Sequence, residues 1–100
     1  FFINKLESTV HVQSELHNHT RRYVVSGQIF FSSSEKFFQF FDFNEHIQKV
    51  EIELSHAHIW DMTSVQMLNA VVEKFEAHGV VVEVLGLNEA SSTLIDRISS

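Results

Sequence analysis

Seven Lys and Arg against thirteen Asp and Glu leave a formal charge of −6 on 100 residues, with 44% hydrophobic and 20% charged side chains and neither Cys nor Pro. That composition excludes a disordered tail, a disulfide scaffold, a thiolate zinc site and a thiol nucleophile. It also argues against a nucleic-acid surface, which draws its affinity from Lys and Arg neutralising phosphates, and here only Arg21 and Arg22 stand side by side. The length fits a single domain over residues 1–100, burying roughly 60–70% of its unfolded surface. The longest apolar runs, Val80 to Val82 and Val84 to Leu87, fall far short of the ~20 residues of a membrane helix. At the start, Asn4, Lys5 and Glu7 interrupt Phe1-Phe2-Ile3 too early for a signal peptide. Protonating all seven histidines would carry the charge from −6 to −6 + 7 = +1, so the surface field depends on pH.

Thr9 to Gln13 alternates in period two, and Tyr23 to Phe31 is rich in β-branched and aromatic residues, so the first two elements are predicted strands. Ser14 to Arg22, with no apolar period, reads as the loop of an antiparallel hairpin. Ser32-Ser33-Ser34-Glu35 has the form of a capping box, opening a helix whose Phe37, Phe38, Phe40 and Phe41 follow i, i+3, i+4 spacing. Lys49 to Leu54 alternates again, with Val50, Ile52 and Leu54 on one face and Glu51 and Glu53 on the other. One wet face implies a sheet with helices mainly on one side. A loop is expected from His56 to Asp61. Thr63-Ser64-Val65-Gln66 is a second capping box, and Val65, Leu68, Val71, Val72 and Phe75 fall at helical spacing before the stop at Gly79. Val80 to Leu85 is a short strand; Asn88 is placed to cap a last helix with Leu94, Ile95 and Ile98 as its buried stripe. The order ββαβαβα predicts an α/β fold: a four-stranded mixed sheet, largely parallel with the first strand added antiparallel, and three helices.

The histidines test metal chemistry first. His17/His19 and His56/His58 are i, i+2 pairs, but a catalytic zinc takes three protein ligands and a structural one four, so Glu15, Asp61 or the other pair would have to converge. Solvated loop histidines account for them without a metal. Ser32 to Ser34 lack a G-x-S-x-G elbow, and Gly27, Gly79 and Gly86 form no phosphate-binding pattern, so no enzyme signature emerges. The aromatic residues are more informative, because seven of the ten Phe lie between Phe30 and Phe43. Phe37, Phe38, Phe40 and Phe41 span too much of a helix circumference for one core stripe, which predicts an aromatic contact surface beside the core. The other candidate is the helix mouth at Asp61 to Ser64, whose unpaired amides attract an anion unless Asp61 or Thr63 caps them.

Three segments in order, Val25-Ser-Gly-Gln-Ile-Phe-Phe-Ser-Ser, Val50-Glu-Ile-Glu-Leu-Ser-His-Ala-His-Ile-Trp-Asp-Met-Thr-Ser-Val and Val81-Val-Glu-Val-Leu-Gly-Leu-Asn, resemble the STAS domain of sulfate transporters and anti-sigma-factor antagonists. The resemblance is closest to the C-terminal cytoplasmic domain of bacterial SulP-type anion permeases. It implies a non-catalytic regulatory and interaction domain, without metal or cofactor, at the cytoplasmic face of the inner membrane. The implied partner is the transmembrane transport domain of the same polypeptide, with residues 1–7 as the remnant of the connection. Family resemblance also admits nucleotide binding, a regulatory protein or acyl carrier protein as partner, and a homodimer. In the antagonist branch the loop reads D-S-S-G and its first serine is phosphorylated. Here Asp61 matches the aspartate, Met62 occupies the acceptor position, Thr63 the next, and Ser64 that of the glycine. The resemblance therefore implies a regulatory contact at Asp61, Met62, Thr63 and Ser64 without the usual phosphoacceptor. The alternative is a free-standing anti-sigma-factor antagonist.

Overall fold

In chain order the elements are β1 (Val10–His17), β2 (Thr20–Ile29), α1 (Ser34–Gln39), β3 (Lys49–Ile59), α2 (Met62–Ala77), β4 (Val81–Leu85) and α3 (Leu87–Ser99). The computed structural model describes residues 10–30 and 34–99. The 1–7 linker, Thr9, Phe31 and the first two serines of the first capping box lie outside them. The sheet runs β1-β2-β3-β4, with β1 antiparallel to β2 and the remaining pairs parallel. Parallel neighbours need a crossover, and α1 and α2 supply the two required here. The expected order and the mixed sheet are both found.

The loop expected from Ser14 to Arg22 is mostly strand. β1 and β2 pair from Val10 opposite Gly27 to His17 opposite Thr20, leaving only Asn18 and His19 as the turn. Asn18 sits at φ 59, a left-handed conformation that Asn adopts more readily than other non-glycine residues. Ser14, Glu15 and His17 are polar and Leu16 is exposed with them, so this end of the strand is held by backbone pairing and a contact from Arg21 Nη1 to Ser14 Oγ at 3.4 Å, and it leaves no apolar period.

The sequence reading also stopped β3 too soon. Val24 lies opposite Glu53 but Ser26 opposite His56, so β3 advances three residues while β2 advances two. This β-bulge shifts the buried side from Val50, Ile52 and Leu54 to Ala57 and Ile59. The break in period after Leu54, read as the end of the strand, is the extra residue of a continuing strand whose pairing resumes at His56 opposite Ser26. Gly86 lies against it, at φ +74, where a Cβ would stand 2.6 Å from the Ser55 backbone nitrogen. Glu53 Oε1 accepts from both the backbone N–H and the hydroxyl of Ser55, pinning the bulge.

One core joins the inward sheet face, led by Tyr23, Val25, Val50, Ile52 and Leu54, to Phe37 of α1, Leu68, Val71 and Phe75 of α2, and Ala90 and Leu94 of α3. α2 ends in a Schellman arrangement: Gly79 N–H donates to Glu76 O at 2.9 Å and Val80 N–H to Phe75 O at 3.1 Å, with Gly79 at φ 80 as the stop. α3 departs from expectation at two points. It begins at Leu87, with Ala90 N–H donating to Gly86 O at 3.0 Å, so Asn88 lies inside the first turn and does not cap it. Leu94 is buried as expected, together with Ala90, but Ile95 is 55% exposed, and the side chain of Ile98 lies outside the described residues.

Candidate functional site

The mouth of α2 is built where β3 runs out. Asp61 takes an extended conformation (φ −148°, ψ 164°) and its side chain accepts from the Ser64 N–H, making Asp61 the N-cap; the Thr63-to-Gln66 capping box does not form the cap. Asp61 Oδ1 lies 2.8 Å from both the Ser64 backbone nitrogen and its Oγ, while that Oγ is also 3.2 Å from the Ile29 carbonyl oxygen. Ser64 is 1% exposed. Its single proton therefore serves two acceptors in a sealed site that ties α2 to the end of β2. Trp60 reinforces the tie, since its backbone N–H donates to Ile29 O at 3.2 Å and its indole N–H to Gln28 Oε1. The Trp60 ring stacks on Phe30, with centroids 5.7 Å apart and planes 17° from parallel.

The four predicted residues of this loop thus divide. Asp61 and Ser64 are consumed by structure, whereas Met62 is 54% exposed and Thr63 also faces solvent. With the carboxylate turned inward as cap, the loop presents a thioether and one hydroxyl. That chemistry suits recognition. Trp60 and Gln28 were missed in the sequence, and Phe30 entered only as one of the clustered rings, because their association depends on the β2 and β3 register, Gln28 opposite His58 and Ile29 opposite Ile59, which no local pattern announces.

The predicted aromatic surface divides as well. Phe37 is 0% and Phe41 6% exposed, with Phe41 centroids 4.7 Å from Tyr23, 5.1 Å from Phe37 and 6.1 Å from Phe75. These two belong to the core and are closed to a partner. Phe38 and Phe40 are only partly buried against it. The apparent excess of rings is resolved by the brevity of α1, which ends at Gln39, so that Phe40, Phe41 and Phe43 leave the helical path and wrap the core from the following loop. Phe43 packs on Phe75 at 4.5 Å, with Lys74 Nζ 4.7 Å from its centroid.

That loop is held by Arg21, whose Nε and Nη2 donate to the Glu45 carboxylate at 3.0 and 2.6 Å, and by the Tyr23 hydroxyl, which accepts from Asp42 N–H at 3.1 Å. Hydrogen bonds from Arg21 hold the Glu45 carboxyl below its ordinary value of 4.5, against a smaller opposing effect of burial. A depressed folded-state value gives stability that is complete above the unfolded-state value and lost as pH falls through the folded one. Glu45→Gln is therefore expected to cost ~1 kcal/mol near neutrality and to flatten the loss of stability below pH ~4.5. Thermal melts of both proteins from pH 7 to 3 measure this.

On the opposite sheet face Arg22 reaches Glu51 at 3.4 Å and Glu53 at 3.5 Å, and Lys49 reaches Glu51 at 3.5 Å and Glu83 at 3.0 Å. A groove of about 350 Å³ beside them is lined by Glu15, His17, Asn18, Thr20, Arg22 and Glu51. His17 ends β1 while His19 lies in the turn, so that pair does not share one extended segment; His56 and His58 are both in β3 and exposed. Among the described residues no three His, Asp or Glu side chains come together as a metal site.

The STAS domain family model matches residues 11–99. YbaR of Bacillus subtilis (strain 168), whose name assigns it to sulfate transport, is 35% identical over 99 residues, 99% of this chain and 21% of that protein. The chain thus spans about a fifth of the length of this curated relative. The crystal structure of an antisigma-factor antagonist STAS domain from Rhodobacter sphaeroides superposes with TM-score 0.82 at 46% identity, covering 84% of this chain and 94% of that one. An anti-sigma factor antagonist from Mycobacterium paratuberculosis shares the fold at TM-score 0.69 and 17% identity, over 96% of this chain and 83% of that one. With sheet order, helix placement and a match over nearly its whole length in agreement, the chain belongs to the STAS domain family.

Proposed function

We infer that this chain is the cytoplasmic regulatory and interaction domain of a SulP-type anion transporter, and that it acts by docking through the mouth of α2 and not by catalysis. The observation that carries the reading is Met62: the position matching the antagonists' phosphoacceptor holds an exposed thioether at the helix start, backed by Asp61 as the N-cap and by a sealed Ser64. A thioether cannot take a phosphoryl group, but it offers an adaptable apolar contact. The likeness to YbaR, whose name assigns it to sulfate transport, supports a transport domain of the same polypeptide as the partner. Among the described residues no helix is long and apolar enough to cross a membrane. In this reading the domain shifts transport only by binding two transporter states unequally. Phe38, Phe40, Phe30 and Trp60 are its accessory rings, and a regulatory or acyl carrier protein would compete for the same mouth.

A free-standing antagonist is the second reading, favoured by the 46% identity to the Rhodobacter sphaeroides domain. The two separate at Thr63. Ser64 is sealed, so a switch by phosphorylation would have to use Thr63, the exposed hydroxyl of the loop. Incubation with ATP and extract of the source cells, followed by mass spectrometric mapping, is expected to leave 61–64 unmodified. Phosphate on Thr63, together with a start codon close upstream of Phe1, would establish the antagonist; upstream coding for ten or more apolar segments of ~20 residues would establish the transporter.

A further inference from the structure

α2 carries both sulfur atoms of the chain, and the fold places them in opposite environments. Two of the 100 residues are Met and none is Cys. Met62, the first residue of α2, is 54% exposed, whereas Met67 is 5% exposed and belongs to the core. An oxidant that reaches this chain therefore meets one accessible sulfur, with no thiol to intercept it. Position decides what oxidation does at each. A sulfoxide oxygen carries partial negative charge, which a helix N-terminus favours, so the start of α2 accepts it without loss of fold. At Met67 the same oxygen would enter the core as an unpaired polar group and destabilise it.

We propose that Met62 is a reversible oxidation site, and that a hydroperoxide acting there weakens docking through the mouth of α2. The sulfur lone pair attacks one oxygen of hydrogen peroxide, the S–O bond forms as the O–O bond breaks, and the departing hydroxide takes the proton of the transferred oxygen and leaves as water. Sulfur loses two electrons and the peroxide gains them. A dithiol reductase reverses the step: the oxygen leaves as water and the dithiol becomes a disulfide. The product is polar where the docked state needs an apolar contact, and burying about half of a Met side chain corresponds to roughly tenfold in affinity. Docking in turn shields the sulfur, so the undocked domain is the form that reacts. The effect on docking rests on the function proposed above; the oxidation site does not.

Hydrogen peroxide treatment of the 100-residue chain, followed by peptide mass spectrometry over time, is expected to add one oxygen atom to Met62 about tenfold or more faster than to Met67. The circular dichroism spectrum is expected to stay unchanged. Met67→Leu, a volume-conserving swap in the core, is expected to leave the rate at Met62 as it is. The oxidised chain, freed of peroxide, is then added to membranes holding the transport domain without its own copy of this domain. It is expected to bind about tenfold more weakly than the untreated chain and to recover after methionine sulfoxide reductase with dithiothreitol. Equal oxidation of the two methionines, or unfolding as Met62 is oxidised, overturns the site. Equal binding by oxidised and untreated chains overturns its effect on docking. An untreated chain that does not bind overturns the docking reading and the effect with it, while the mass measurement decides the oxidation site independently.

Discussion

Gly86→Ala is expected to lower the free energy of unfolding by about 3 kcal/mol, a large change for a single methyl group on a surface turn. Two costs add. The left-handed backbone at φ +74 disfavours any Cβ by ~1–2 kcal/mol, and the new methyl would lie 2.6 Å from the Ser55 backbone nitrogen and 2.8 Å from Glu53 Oε1 and Ser55 Oγ, overpacking that costs ~1–3 kcal/mol. Backbone cannot step aside as a flexible side chain can, and here it is the bulge that sets the facing of Ala57 and Ile59. Gly79→Ala is the internal control: its φ is +80 but nothing lies within 4 Å of the added Cβ, so it should cost only ~1 kcal/mol. Urea denaturation of the three proteins decides the matter. Equal losses at the two glycines would show that the contact with β3 contributes nothing.

Phe37→Ala is expected to cost about 3–5 kcal/mol, a large share of the ~5–15 kcal/mol that holds a domain of this size. Phe37 is fully buried and meets Phe41 at 5.1 Å, so its removal leaves a cavity in the core. Phe38→Ala, one residue away, removes a ring only partly buried and should cost ~1 kcal/mol. The pair of measurements separates rings that hold the fold from rings offered to a partner. Similar losses for both would mean that Phe38 is core too, and would remove α1 from the contact surface.

Legibility in the sequence followed the reach of the forces involved. α2 could be read because its apolar spacing, its Gly79 stop and its buried residues Leu68, Val71 and Phe75 all arise within one helix. The alternation of β3 was equally plain up to Leu54. What failed was each place where a partner distant in sequence decides the outcome. The bulge at Ser55 becomes visible only against β2, and the exposed end of β1 only against Arg21 and Arg22, whose strand supplies its hydrogen bonds. The same holds at the site: Asp61 and Thr63 were both plausible caps, and the choice fell to Asp61 because Ser64 is drawn inward to Ile29. Phe37 and Phe41 were indistinguishable from Phe38 and Phe40 until the fold buried the first two, one from α1 and one from the loop after its early end at Gln39.

Docking through the α2 mouth is tested most directly by amide hydrogen exchange over Trp60 to Gln66, compared between the 100-residue chain alone and the same chain joined to its transport domain in membranes. The predicted result is at least tenfold slower exchange at Met62 and Thr63 in the joined protein, reversed by Met62→Glu while the core amides of Val71 and Phe75 stay unchanged. Identical exchange at Met62 and Thr63 in the two settings would contradict the account.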